Sequence, residues 1–169
     1  MNKDFFNRNA NLVAPDLLGK YLVRLNEGKI ERLKILETES YEGFDDKASH
    51  ASRGKTARNA PMFEKAGTIY VYFTYGMHYM LNLVCGPQDH PAAVLTRGVE
   101  GIIGPGRLTK KLKIDKSFNG KILGKKTGLW IEQEKIEISK KVKIKRTPRI
   151  GVDYSGIWAK KLLRFVLKN

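Results

Sequence analysis

Apolar and polar positions alternate along much of this chain, and the alternation outlines most of its elements. Residues 20–25 and 30–40 read as two strands, with Asn26-Glu27-Gly28-Lys29 as the turn between them. Ahead of them, residues 10–18 carry apolar side chains at helical spacing, and Gly19 ends that run. Pro15 is expected to mark a turn or a break there. Residues 42–67 mix charges, small side chains, Gly and Pro, the composition of a long functional loop. Residues 69–73 alternate and are rich in β-branched and aromatic side chains, so they predict a strand. Tyr75-Gly76 marks a turn, and residues 78–84 and 92–97 follow as further strands. Gly104-Pro105-Gly106 breaks the chain before a short basic helix over 107–112. Residues 135–139 and 141–145 set Ile or Val against charge, as half-buried strands do. No repeat, low-complexity linker or boundary interrupts the pattern. The expected fold is α+β: one domain over 1–169, a mostly antiparallel curved β-sheet with several short helices.

Composition narrows the class. With 41% hydrophobic residues in 169, the chain can bury a core and is not of the disordered type. Its most apolar stretch, residues 68–84, contains Gly76, His78 and five aromatics, and is too short and polar for a comfortable membrane span. Residues 1–10 carry no apolar run of the signal-peptide kind. Cys85 stands alone, so no intrachain disulfide forms, which fits a reducing compartment. An intracellular protein is therefore expected: cytoplasmic or nucleoid-associated in a prokaryote, nuclear in a eukaryote.

Charge changes the picture more. Residues 1–106 hold 13 Lys+Arg against 12 Asp+Glu, whereas residues 107–169 hold 19 against 5. A surface this basic attracts a polyanion, nucleic acid first and an anionic membrane second. A membrane partner would call for an exposed apolar anchor beside the charge, and the sequence offers no clear one.

Two segments could carry chemistry. In a strand, residues two apart share a face, so Glu37, Glu39 and Tyr41 point the same way. Two carboxylates beside an aromatic ring suit hydrolysis of a bond to an aromatic ring system. Spacing alone favours a solvated acidic face instead; the basic residues that follow, His50, Arg53, Lys55 and Arg58, shift the balance because they set basic groups beside the carboxylates, as a phosphate-binding rim would require. The second segment runs from Tyr70 to Tyr79. Tyr70 and Tyr72 share a strand face, and Tyr75 sits at the expected hairpin tip, where a large ring can wedge between bases. Ordinary core packing accounts for one or two of these rings and fits Tyr75 less well. His50, His78 and His90 show no metal-ligand spacing among themselves or with Cys85, so no metal and no cofactor are expected. Neither a dinucleotide-binding glycine pattern nor a phosphate-binding loop is present.

Taken in order, several short motifs resemble the alkyladenine (3-methyladenine) DNA glycosylase family. They are Glu37-Thr38-Glu39-Ser40-Tyr41, the run from Asp45 to His50, Thr56-Ala57-Arg58-Asn59 and Gly67 to Tyr72, then Tyr75-Gly76-Met77, Asn82, Gly104 to Leu108 and Arg149-Ile150-Gly151-Val152. The resemblance implies an enzyme that flips an alkylated or deaminated purine out of double-stranded DNA and hydrolyses its N-glycosidic bond, leaving an abasic site. It implies Glu39 as the base that activates water, with Arg97 and the Ile150 carbonyl helping to hold that water. Tyr41, His50 and Tyr72 become the walls of the base pocket, and Asn82 the residue that rejects guanine's amine. The hairpin inserts into DNA through Tyr75, flanked by Met77 and His78. Arg53, Lys55, Thr56 and Arg58 contact the DNA. Ala57 stands where a proline is expected. The expected enzyme is monomeric and monofunctional; the alternative is a basic nucleic-acid binder without catalysis.

Overall fold

One long strand organises the molecule. In the computed structural model, which describes residues 1, 3–133 and 143–168, two short helices, α1 (Lys3–Phe6) and α2 (Ala10–Asp16), lead into β1 (Tyr21–Asn26) and the fourteen-residue β2 (Lys29–Glu42). Beyond the loop come β3 (Ile69–Thr74), β4 (His78–Val84), β5 (Ala92–Val99) and the two-residue β6 (Ile102–Ile103). Helix α3 (Pro105–Lys111) is followed by β7 (Leu129–Glu132), β8 (Ile144–Thr147) and β9 (Arg164–Leu167). Among the described residues these strands form a nine-stranded sheet in the order β3-β4-β5-β2-β1-β7, with β6 on β5, and β9 bridging β2 and β8. Among the described residues the ladders between these strands are antiparallel, so the expected α+β class with a mostly antiparallel sheet holds.

Strand β2 works in two halves. Residues from Lys29 to Lys34 pair with β1, and those from Ile35 to Glu42 pair with β5. Glu37, Thr38 and Glu39 also pair with β9 on the other edge. The register slips on both sides of Glu37, a bulge of the kind that re-aims a side chain and deepens twist.

Alternation gives the sheet two different faces. Ile35, Ile69, Val71, Leu81, Leu83 and Val94 enter one core with α2 and α3. Burial of one such side chain stabilises by about 1.5–3 kcal/mol, so a one-residue slip would forfeit the whole set. Thr38, on this side, donates its hydroxyl to the Ala14 carbonyl at 2.8 Å and ties β2 to α2. The opposite face carries a smaller cluster, Met62, Phe63, Tyr70, Val84 and Ala93, and the cavity described below.

Several expectations are corrected. Pro15 does not break its helix: it lies in the last turn, and Leu17 still donates its N–H to the Val13 carbonyl. The loop over 42–67 contains two 3-10 turns, His50–Arg53 and Ala60–Phe63. Gly104, at φ 104°, precedes a proline that opens α3, so this tripeptide starts a helix rather than merely interrupting the chain. The strand expected at 135–139 lies outside the described residues, as do 141 and 142. Strand β8 begins at Ile144, pairs with β9, and leaves Ile144 exposed rather than half-buried. The turn at Asn26 to Lys29 is as expected, with Glu27 and Gly28 both at positive φ, the signs a type I′ hairpin requires.

Candidate active site

The cavity floor is written in the strand registers. Tyr70 opposes Asn82, Asn82 opposes Leu95, and Leu95 opposes Glu39. These four therefore form one row across β3, β4, β5 and β2, and all four line a cavity of about 600 Å³. Tyr72, Met80, Ala93, Tyr41 and Arg97 lie on the same face and line it too. The sequence pattern foresaw that Glu37, Glu39 and Tyr41 share a face; it gave no sign that Glu39 would sit in a strand paired on both edges, 0% exposed.

Three donors surround the Glu39 carboxylate. The Ile150 N–H donates to Oε1 at 3.0 Å, the Tyr41 hydroxyl donates to Oε2 at 3.0 Å, and an Arg97 Nη lies 3.5 Å from Oε1. Burial pushes the Glu39 carboxyl above its ordinary pKa, while Arg97, the Ile150 N–H and Tyr41 pull the other way. The result is a buried carboxylate that ionises only with help. The resemblance implied a role for the Ile150 carbonyl toward water; the structure adds a separate contact, from the Ile150 N–H to Glu39.

Aromatic rings line one side. The His50 and Tyr72 rings meet edge-on at 4.5 Å, and Tyr70 lies 5.4 Å from Tyr72. His50 Nδ1 is 2.9 Å from the Tyr70 hydroxyl. At such spacing His50 and Tyr72 form a single wall, not two. Burial lowers the His50 pKa, and Arg58 lowers it further, so the imidazole is neutral near pH 7. Burial raises the phenol of Tyr70 to about 12 and those of Tyr41 and Tyr72 upward as well, so all three stay protonated donors. The Asn82 amide is held in place by donating to the Tyr70 and Met80 carbonyls at 3.2 and 3.3 Å.

The loop that carries His50 is pinned from two directions. Asn59 donates its amide to the His50 and Gly54 carbonyls, each at 2.9 Å. Arg149 grips Asp46 through two parallel contacts of 2.5 and 2.8 Å, with both side chains fully buried. The same guanidinium donates to the Ser40 carbonyl and lies 4.6 Å above the Tyr41 ring. Arg149 thus locks the loop, strand β2 and the segment holding Ile150 into one arrangement, a role no local sequence signal announced.

At the cavity mouth stands the β3–β4 hairpin. Tyr75 is 79% exposed at φ 52°, next to Gly76 at φ 66°. An L-residue in that region costs about 1–2 kcal/mol, and a bulky exposed ring held there points to function rather than packing. Met77 is exposed and His78 half-buried. The His78 ring lies so close to Gly106 that a Cβ there would meet it at 2.7 Å, so the second residue of α3 is held to glycine. Tyr75 and His78 line the cavity, whereas Met77, Lys55, Thr56 and Arg58 do not. Arg58 reaches the hairpin by donating to the Phe73 carbonyl at 3.0 Å and sits 5.7 Å from the centre of the Tyr72 ring. Lys55 lies over Phe63, and the Thr56 hydroxyl accepts the Asn59 N–H in a local turn. Arg53 lines a second, smaller cavity with Lys47, Ser49 and Tyr154. Sequence reasoning did not single out Tyr154, Ile103 or Pro105 as cavity residues; Tyr154 is anchored by its hydroxyl to the Ala48 carbonyl at 3.3 Å. Among the described residues no three His, Cys, Asp or Glu side chains cluster as metal ligands would, and no helix is long and apolar enough to cross a membrane.

Comparison with known proteins places the site in context. Residues 4–103 and 102–169 match the family described as methylpurine-DNA glycosylase. A protein of Methanocella arvoryzae is 42% identical over 188 aligned residues, covering 99% of this chain and 92% of the relative. One from Psychrobacter cryohalolentis is 38% identical, covering 96% and 89%. One from Clostridioides difficile is 36% identical, covering 99% and 100%. Each bears the name "Putative 3-methyladenine DNA glycosylase". The near-complete matches, together with a buried carboxylate in an aromatic cavity beneath an exposed hairpin, show that this chain belongs to the methylpurine-DNA glycosylase family.

Proposed function

We propose that this protein excises alkylated or deaminated purines from double-stranded DNA by water attack on the glycosidic carbon, with Glu39 as general base. The observation that carries the reading is the Glu39 carboxylate, wholly buried yet held by Arg97, the Ile150 N–H and Tyr41 at the end of an aromatic cavity. A carboxylate retained there against its desolvation cost has work to do beyond packing.

The target bond lies inside a duplex, so the nucleotide is first rotated out, at a cost of a few kcal/mol that is least for a damaged pair. Tyr75 fills the gap, and Met77 and His78 follow it into the minor groove. The extruded purine stacks between Tyr41 on one side and the His50–Tyr72 wall on the other. Stacking is worth about 1–3 kcal/mol per base, and a cationic purine gains more over tyrosine faces. Asn82 turns away a base bearing guanine's amine. Arg53, Lys55, Thr56 and Arg58 hold the phosphates and give binding its salt dependence.

Cleavage breaks the bond from C1′ to the base nitrogen, and its electron pair leaves with the base. The sugar passes through an oxocarbenium-like state that an ionised Glu39 stabilises. Water adds to C1′ and gives its proton to Glu39. A purine alkylated on a ring nitrogen already carries positive charge and departs without an acid, whereas a neutral one such as hypoxanthine takes up a proton as it leaves. The product is an abasic site, and the enzyme works as a monomer, with no lyase step and no cofactor.

The direct test uses duplexes with one central hypoxanthine, ethenoadenine or methylated purine, incubated with the protein in a chelator and then treated with hot alkali. Strand cleavage at the lesion is the expected result. Salt-sensitive binding without cleavage of any of these would leave a non-catalytic nucleic-acid binder. The same assay separates the role of the hairpin: Tyr75→Ala slows excision from duplex about tenfold more than from single strands, since only the duplex must be unstacked. Equal losses on both would remove the wedge assignment.

A further inference from the structure

We propose that Glu37 is a positioning residue whose carboxylate orients the Arg97 guanidinium and sets how strongly that cation acts on Glu39. The inference rests on the reading of Glu39 as the base. Glu37 makes none of the base, water or DNA contacts described above, yet it is nearly as buried as Glu39.

The surroundings of Glu37 are built for it. The bulge in β2 falls at this residue. Its partner across the ladder is Gly98, and a Cβ there would meet the Glu37 Cβ at 3.2 Å and a carboxylate oxygen at 3.3 Å. One carboxylate oxygen, Oε1, receives Arg97 Nε at 3.0 Å and Arg164 Nε at 2.5 Å. The far end of Arg97 is what reaches Glu39. Arg164, from β9, is steadied in turn by the Thr147 hydroxyl at 3.3 Å. The four charges therefore alternate in a chain, Arg164, Glu37, Arg97, Glu39, and two carboxylates share one central guanidinium.

Such sharing has a sign. The Glu37 charge disfavours ionisation of Glu39 directly, and by holding Arg97 it also limits the attraction that favours ionisation. The groups around Glu39 are Glu37 and Tyr41 from β2, Arg97 from β5, Tyr72 from β3, Arg149 with the Ile150 N–H from the segment between β8 and β9, and Arg164, its ladder partner on β9. Of these, Glu37 and Arg164 can be neutralised while Arg97, Tyr41 and the Ile150 N–H, the groups that contact the Glu39 carboxylate, are all kept. Neutralising Glu37 frees Arg97 and removes a like charge, so Glu39 stays ionised to lower pH. Neutralising Arg164 leaves Glu37 bound to Arg97 alone, so Glu39 protonates at higher pH.

Single-turnover excision of a cationic N-alkylated purine from duplex DNA, followed from about pH 5 to 8, reads these shifts as the acid limb of the rate profile. With Glu37→Gln the limb moves down by roughly half a unit or more, so that the rate at the acid end, relative to its plateau, rises about threefold. With Arg164→Gln it moves up. A purely structural role would lower the rate at every pH and leave the limb in place. Limbs that stay at the wild-type position, or that move the same way in both variants, overturn the proposal. Should Glu37→Gln not accumulate as folded protein, the direction of the Arg164→Gln shift decides alone. A wild-type profile with no acid limb would strike the base assignment itself, a result read before either variant is made.

Discussion

Glu39→Gln abolishes excision and at the same time makes the protein more stable. Both effects follow from one fact, the burial of the carboxylate, which pushes its pKa up against the pull of Arg97, the Ile150 N–H and Tyr41. Glutamine cannot take a proton from water or stabilise a developing sugar cation, so the rate falls by about a thousandfold or more. Yet the amide fits the same partners: its oxygen accepts the Ile150 N–H, and its nitrogen donates to the Tyr41 hydroxyl oxygen. What disappears is the cost of keeping a charge out of water. The native state gains on the order of 1 kcal/mol, read as a melting temperature higher by about 2–4 °C at pH 7. The sign with pH is set by the raised pKa. The protonated form is favoured on folding, so the Glu39 contribution is fully present below the ordinary carboxylate range and is lost as pH rises through the raised value. The difference between wild type and variant should therefore shrink on acidification. An inactive variant that melts below wild type at pH 7 would show that the carboxylate is kept for stability instead.

Arg149→Met has the largest expected effect on stability. The substitution leaves Asp46 fully buried with its charged partner gone, since both Asp46 oxygens are held by that one guanidinium. Breaking one side of a buried pair costs about 3–5 kcal/mol, which lowers the melting temperature by roughly 6–20 °C for a chain of this size. Adding Asp46→Leu to Arg149→Met should recover most of the loss, because the pair's net worth is small once neither charge is stranded. Thermal melts of the two single variants and the double variant measure this. A single-variant loss under about 1 kcal/mol would contradict the buried-pair account. Excision should not recover with stability in the double variant. Arg149 also holds the Ser40 carbonyl and underlies the Tyr41 ring, and it adjoins the residue whose N–H holds Glu39.

What was legible in the sequence was whatever a short window could carry. Period-two spacing placed Glu39 and Tyr41 on one face, and Tyr75-Gly76 announced the hairpin tip, because both signals sit within six residues. The strands β1 to β5 were found for the same reason. The four-residue strands β7 and β9 were too short to show a period, and Pro15, which forfeits a single bond to the Asn11 carbonyl, stays in the last turn because the Leu17 N–H still closes it on Val13. The contacts that give Glu39 its character come from far away in the chain. The Ile150 N–H is 111 residues distant, and Arg149 and Asp46 are 103 apart. The role of Glu37 depends on Arg164, 127 residues on. No local pattern encodes which guanidinium meets which carboxylate; only the resemblance to a family pointed at Arg97 and Ile150, and it gave no sign that the Ile150 N–H donates to Glu39.

The double pairing of β2 around Glu39 also divides the molecule by its opening equilibria. Amides of a strand bonded to β5 on one edge and β9 on the other are expected to exchange with solvent only when the whole fold comes apart. Those at the tip beyond Thr74 and His78, where the ladder ends, are expected to open at much lower cost. On the reading proposed above, the hairpin tip can therefore adjust to a duplex by opening and reclosing while Glu39 and the groups that hold it keep their positions.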